Sequence, residues 1–166
     1  MITRHSERLL VRHAPDDVFA LVSDVERYPE FIPYLTTLRI LSRETAGPQR
    51  VFVAEAVARY KFARERFVTS VTADASALRV SVNLVEGPFH ILRNVWQMSE
   101  MNDGSTAIDF ELDFQFNNIV LDMLIRANKQ RAIRKMIEYF VKEADRRYPV
   151  TGTTDYDPSR PFDARE

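Results

Sequence analysis

The chain has 166 residues, 45% hydrophobic and 28% charged, with 23 basic and 24 acidic side chains and a net charge of −1. That size and balance fit one globular domain that hides roughly 70% of its unfolded surface, and the absence of cysteine excludes disulfides and thiolate metal sites. Near-neutral charge gives no global pull toward DNA or RNA, and no run reaches the ~18 apolar residues of a membrane span. A soluble, cytoplasmic protein is expected, with any membrane contact peripheral.

Residues Thr3 to Val11 alternate loosely and predict an edge strand. Pro15 opens a helix with Asp16 and Asp17 where the dipole favours negative charge, and Val18, Phe19, Val22 and Val25 give it one apolar face. Between Asp24 and Tyr34, prolines 29 and 33 permit at most one helical turn, predicting an aromatic-rich lid or corner.

From Leu35 to Phe116 the period becomes two. Strands are predicted from Leu38, across Arg50 to Ala73 as a pair joined near Tyr60 and Lys61, over Leu78 to Leu84, over His90 to Ser99 and over Ala107 to Phe116. Ala46-Gly47-Pro48, Glu86-Gly87-Pro88 and Asn102 to Ser105 supply turns. In the last strand Ile108, Phe110, Leu112, Phe114 and Phe116 fall on one face, opposite Asp109, Glu111, Asp113 and Gln115. The Asn102 to Ser105 turn sets Trp96 beside Phe110 and Arg93 beside Asp113, and its parity places His90 and Asn94 on the buried side. Phe52, Ala54, Ala56, Ala58 and Tyr60 share an inward face whose alanines leave room for a large neighbour or a pocket.

One uninterrupted helix is predicted from Asn118 to Arg147, with an apolar stripe at Ile119, Met123, Ile133, Ile137, Phe140 and Ala144 that Arg126 and Gln130 interrupt. Arg126, Lys129, Arg131, Arg134, Lys135, Lys142, Arg146 and Arg147 outnumber Glu138, Glu143 and Asp145 along it. This basic surface is the part suited to anionic headgroups or ribosomal RNA. Residues 150–166 read as a disordered tail after a domain spanning 1–149. A curved antiparallel sheet around one long helix, with two short helices near the N-terminus, is an α+β arrangement that encloses a cavity for an apolar ligand.

No hydrolytic, nucleotide-binding or metalloprotease motif occurs. His5 and His13 are expected in solvent, and His90 is the only inward histidine. The carboxylates of the last strand fit a ladder of cross-strand ion pairs. These readings give no catalytic residue, no metal ligand and no cofactor, and the chain is not expected to be an enzyme.

Asp24-Val25-Glu26-Arg27-Tyr28-Pro29-Glu30-Phe31-Ile32-Pro33-Tyr34, preceded by Val18-Phe19 and Leu21-Val22, resembles the signature of the coenzyme Q-binding START-like proteins of the polyketide cyclase/START superfamily. Phe67 to Val71, Gly87-Pro88-Phe89 with Leu92-Arg93-Asn94 and Trp96, and Phe110 to Phe116 extend the likeness over about residues 3 to 148. It implies a helix-grip (START/Bet v-like) fold of about six or seven strands around a hydrophobic tunnel. It also implies ubiquinone as bound ligand, in support of its delivery or synthesis for respiration. The basic residues clustered on the long helix predict, separately, weak peripheral attachment at the inner membrane. Tyr34 and Leu35 stand where many relatives have tryptophan and cysteine, so no thiol acts there. The family also includes RatA-type toxins that interfere with ribosomal subunit association, which is the second expectation, and an aromatase/cyclase-like enzyme is the third. The lack of a positive excess weighs against the ribosome, and a polyisoprenoid tail gains about 25 cal/mol per Å² hidden. The expected lining is Phe31, Tyr34, Tyr60, Phe89, Trp96, Phe110, Leu112 and Met123, with Phe31 and Tyr34 over the tunnel mouth.

Overall fold

The alternation between Leu35 and Phe116 folds into six consecutive antiparallel strands, β2 (Leu35–Ala46), β3 (Gln49–Tyr60), β4 (Ala63–Asp74), β5 (Arg79–Glu86), β6 (Phe89–Glu100) and β7 (Thr106–Phe116). Strand β1 (Thr3–Val11) pairs with β7, giving one curved seven-stranded sheet of order β1-β7-β6-β5-β4-β3-β2 with β1 and β2 at its edges. These features are those of a computed structural model, which describes residues 1–153. Helix α1 (Pro15–Ser23) and a 3-10 helix at Val25–Glu30 close one end, and α2 (Ile119–Ala127) and α3 (Lys129–Arg147) follow the sheet. Helix α3 lays Ile133, Ile137, Phe140 and Ala144 onto a core that includes Phe52, Val71, Val80, Trp96 and Phe110. The expected helix-grip architecture is therefore present.

Registers follow the alternation. Trp96 pairs with Phe110 and Arg93 with Asp113, and Phe52, Ala54 and Ala56 are buried along β3. On the outer face Arg8 meets Asp109 at 2.9 Å and Arg93 meets Glu111 at 3.2 Å, the expected ladder. Strand β2 has register shifts between Leu35 and Thr37 and between Ile40 and Ser42.

Four expectations need correction. The terminal helix is two helices: Asn128 leaves helical geometry, and its side chain donates to the Leu124 carbonyl at 2.9 Å, replacing backbone bonds that a continuous helix would make. The bend carries the N-terminal part of the apolar stripe off the core, so Ile119 is 74% and Met123 58% exposed. His90 is exposed because an irregularity between Phe89 and Ile91 shifts parity and turns Phe89 inward instead. His5 and His13 are enclosed rather than solvated. His5 Nε2 lies 2.9 Å from buried Glu7 on the inner face of β1, while the His13 ring nitrogens lie 3.0 Å from the Pro149 carbonyl and 2.7 Å from Asp145. Finally, Thr151 and Gly152 donate backbone N–H groups to the Arg12 carbonyl, and Thr153 donates to Asp103. The chain is thus held in place through the first residues of the expected tail, whose remainder lies outside the described residues.

Two consequences are measurable. Gly87 has φ +155°, and a Cβ there would sit 2.6 Å from Phe67 Cβ. Gly87→Ala should lower the free energy of urea unfolding by about 1–3 kcal/mol. The Tyr28 hydroxyl donates to the Val22 carbonyl, and burial, assisted by the Asp24 charge, pushes its pKa above the ordinary phenol range. Above pH ~10 the unfolded chain releases this proton before the folded chain does, so stability should fall as pH rises further. Tyr28→Phe should flatten that alkaline limb in melts recorded across pH.

Candidate ligand-binding site

Strands β3, β6 and β7 run antiparallel to their neighbours so that the β3–β4 turn, the β5–β6 turn and the β7–α2 junction share one end of the sheet. At that end a cavity of about 220 Å³ is lined by Tyr34, Tyr60, Phe89, Leu92, Leu112, Phe114, Phe116, Ile125, Lys129, Ala132, Ile133 and Met136. Ala132, Ile133 and Met136 of α3 face an aromatic wall here: Phe89 stacks on Phe116 with centroids 4.5 Å apart and meets Phe67 edge-on at 5.6 Å. Lys129 is the only charged side chain in this lining.

The polar rim is phenolic. Tyr34 lies 5.8 Å from Tyr60 and 6.0 Å from Tyr139, ring to ring. Burial first, then the neighbouring Tyr139 and Tyr60 hydroxyls, raise the Tyr34 pKa. Its hydroxyl therefore stays protonated, and able to donate, throughout the neutral range.

Of the eight residues expected to line the site, Tyr34, Tyr60, Phe89 and Leu112 surround this cavity together. Phe31, Trp96 and Phe110 are elsewhere. Phe140 sits between them, 5.3 Å from Phe31 and 4.8 Å from Trp96, and Trp96 meets Phe110 at 4.8 Å. Trp96 donates to Asn94 at 2.6 Å, and Asn94 donates to the Glu111 carbonyl at 2.8 Å, so the inward asparagine is satisfied. These rings fill the middle of the concave face, and the apolar space that remains is a cavity at one end, shorter than the hydrophobic tunnel that the resemblance implies. Met123 points to solvent on α2. Phe31 packs beneath the corner, against Tyr28 at 5.8 Å and under the Arg147 guanidinium at 5.4 Å.

Phe114 and Phe116 share the parity of Phe110 and Leu112, and that alternation was signal enough to include them. Ile125 reaches the cavity from α2, across the break at Asn128, which nothing in the sequence marks. Ala132 and Met136 flank Ile133 at helical spacing on α3, a signal that could have included them. Around the same end, Phe62 (76% exposed), Val85, Ile119, Val120 and Met123 are exposed apolar side chains. Arg126, Lys129, Arg131 and Arg134 surround the α2–α3 break beside them. Among the described residues no helix is long and apolar enough to cross a membrane.

Residues 11–141 match the family model described as polyketide cyclase / dehydrase and lipid transport. The ribosome association toxin RatA of Rickettsia prowazekii is 30% identical over 138 residues, covering 81% of this chain and 91% of that protein. The mitochondrial coenzyme Q-binding protein coq10 of Schizosaccharomyces pombe is 25% identical over 138 residues, 81% of this chain and 82% of its own length. The solution structure of the 18 kDa protein CC1736 from Caulobacter crescentus superposes with a TM-score of 0.73 at 34% identity, covering 87% of this chain and 97% of that one. The chain belongs to the polyketide cyclase / dehydrase and lipid transport family.

Proposed function

We propose that the protein binds the ring and proximal tail of a polyisoprenoid quinone such as ubiquinone in the cavity between β3, β6, β7 and α3, without transforming it. The observation that carries this reading is the lining itself: aromatic and aliphatic throughout, with phenol hydroxyls and one ammonium where a quinone carbonyl needs donors. No carboxylate or imidazole lines it to act as acid or base. The likeness to a coenzyme Q-binding protein supports the choice of ligand. At about 220 Å³ the cavity is smaller than the ~300 Å³ at which pockets begin to enclose drug-sized ligands, so the tail leaves through the end occupied by α2.

That exit gives the exposed apolar residues of α2 a purpose. Ile119, Val120 and Met123, flanked by Arg126 and Arg131, form the combination that lies in an anionic membrane interface. Docked there, the cavity exchanges its ligand with the bilayer.

A second reading is inhibition of ribosomal subunit association, favoured by the likeness to RatA and by the basic cluster at the α2–α3 break. Several of the helix cations are already paired, Arg146 and Arg147 with Glu143 and Lys135 with Glu138, which leaves less free charge for RNA than the sequence suggests.

Mass spectrometry of an organic extract of purified protein should show a quinone near one equivalent, and Ala132→Phe, which fills the cavity from α3, should reduce it severalfold with little change in melting temperature. Extracts free of quinone, with added ubiquinone not retained, would overturn the reading; salt-resistant cosedimentation with ribosomal subunits would install the second. Met123→Glu should release the protein from phosphatidylglycerol vesicles in flotation assays while leaving quinone content unchanged.

A further inference from the structure

At the opposite end of α3, about 27 Å from Lys129 at 1.5 Å per residue, lies a second cleft with the reverse chemistry. Its volume is about 310 Å³, and its walls include Ser23, Asp24, Arg43, Arg50, Phe52 and Arg147. Arg43 and Arg50 both lean on the Phe52 ring, at 5.7 Å and 5.6 Å from its centroid. Two guanidiniums on one ring repel each other unless negative charge joins them.

The carboxylates present position this cluster without saturating it. Glu26 holds Arg43, Glu143 holds Arg147 through Nε at 2.7 Å, and Asp24 lies 3.5 Å from Arg147 Nη1. Arg50 has only neutral partners among the described residues, the Ser23 hydroxyl at 3.3 Å and the Phe52 ring. The Arg147 side chain is 9% exposed and lines the cleft, held in place by Glu143 and Asp24 and by its neighbour Tyr148. Arg50 is therefore the guanidinium whose charge no carboxylate balances, and a ligand oxyanion in the cleft supplies what is missing.

We propose that this cleft is a binding site for a phosphate-bearing anion, held by Arg50 and Arg147 with Arg43 completing the charge. Tetrahedral oxyanions suit it because separate guanidiniums donate to separate oxygens in forked geometry. The volume leaves room for a diphosphate or a small esterified group beyond one phosphate. The site is independent of what the apolar cavity holds. The Asp24 to Arg27 segment, which an apolar site leaves without a role, here becomes part of the wall and holds its arginines.

Isothermal titration calorimetry with inorganic phosphate and with pyrophosphate, at fixed chloride, tests the site. Both should bind, pyrophosphate more tightly, and Arg50→Ala should weaken them roughly tenfold or more. Arg50 is exposed, so the variant should keep the wild-type melting temperature. Arg147→Lys, which retains charge but not the fork, should weaken pyrophosphate more than phosphate. Flotation with phosphatidylglycerol vesicles separates the sources of the phosphate: Arg50-dependent vesicle binding without binding of the soluble anions assigns it to a lipid headgroup. If no phosphate species binds, or if Arg50→Ala leaves binding unchanged, the site does not exist.

Discussion

Everything on the concave face is arranged around Phe140. Its ring meets Tyr28 at 5.1 Å, Phe31 at 5.3 Å and Trp96 at 4.8 Å, joining α3 to the 3-10 corner and to β6 in one aromatic cluster. Edge-to-face pairs of this kind contribute about 0.5–1.5 kcal/mol each beyond the area they hide. The larger effect is positional. The cluster blocks the middle of the groove, so the space between helix and sheet is divided into a compartment on the Lys129 side and another on the Arg147 side.

The two compartments differ because their walls are drawn from different elements. Strand ends β3, β6 and β7 supply aromatic side chains to one, and the β2–β3 hairpin with the C-terminus of α3 supplies guanidiniums to the other. Helix polarity reinforces the second arrangement, since Arg146 and Arg147 lie in the last turn of α3, where the dipole favours cations. One grip thereby presents an apolar mouth and a cationic mouth at opposite ends of the same helix.

The strands were legible because period-two alternation survives almost unbroken from Phe52 to Phe116, and the Asn102 to Ser105 turn was enough to set Trp96 against Phe110. The failures have a common physical origin in local departures from regular geometry. The irregularity before Ile91 reversed His90 and has no compositional mark. Asn128 broke a helix whose flanking sequence continues the helical pattern. Strand β1 was read as an edge, correctly, but polar His5 and Glu7 occupy inward positions where each satisfies the other, and alternation of residue type cannot reveal a buried polar pair. Half of the expected lining lay around the cavity because β-strand parity was readable. Trp96 and Phe110 went to the filled centre because depth along a groove leaves no trace in parity, and Phe31 went beneath the 3-10 corner. The arginine cleft joins residues 23, 50 and 147, a convergence that belongs to tertiary structure alone.

The register shifts in β2 bear on how the molecule behaves in a crowded solution. A straight, open edge strand offers unpaired backbone groups as a template for another chain, and β2 is an edge exposed over most of its length. Its two irregularities, at Leu35/Thr37 and Ile40/Ser42, interrupt the spacing that a docking strand would need. Arg39, Arg43 and Glu44 add charge along the same strand. A protein that keeps an apolar cavity at one end of its sheet is thus guarded against edge-to-edge polymerisation by distortion of an exposed edge strand, at the cost of regular pairing there.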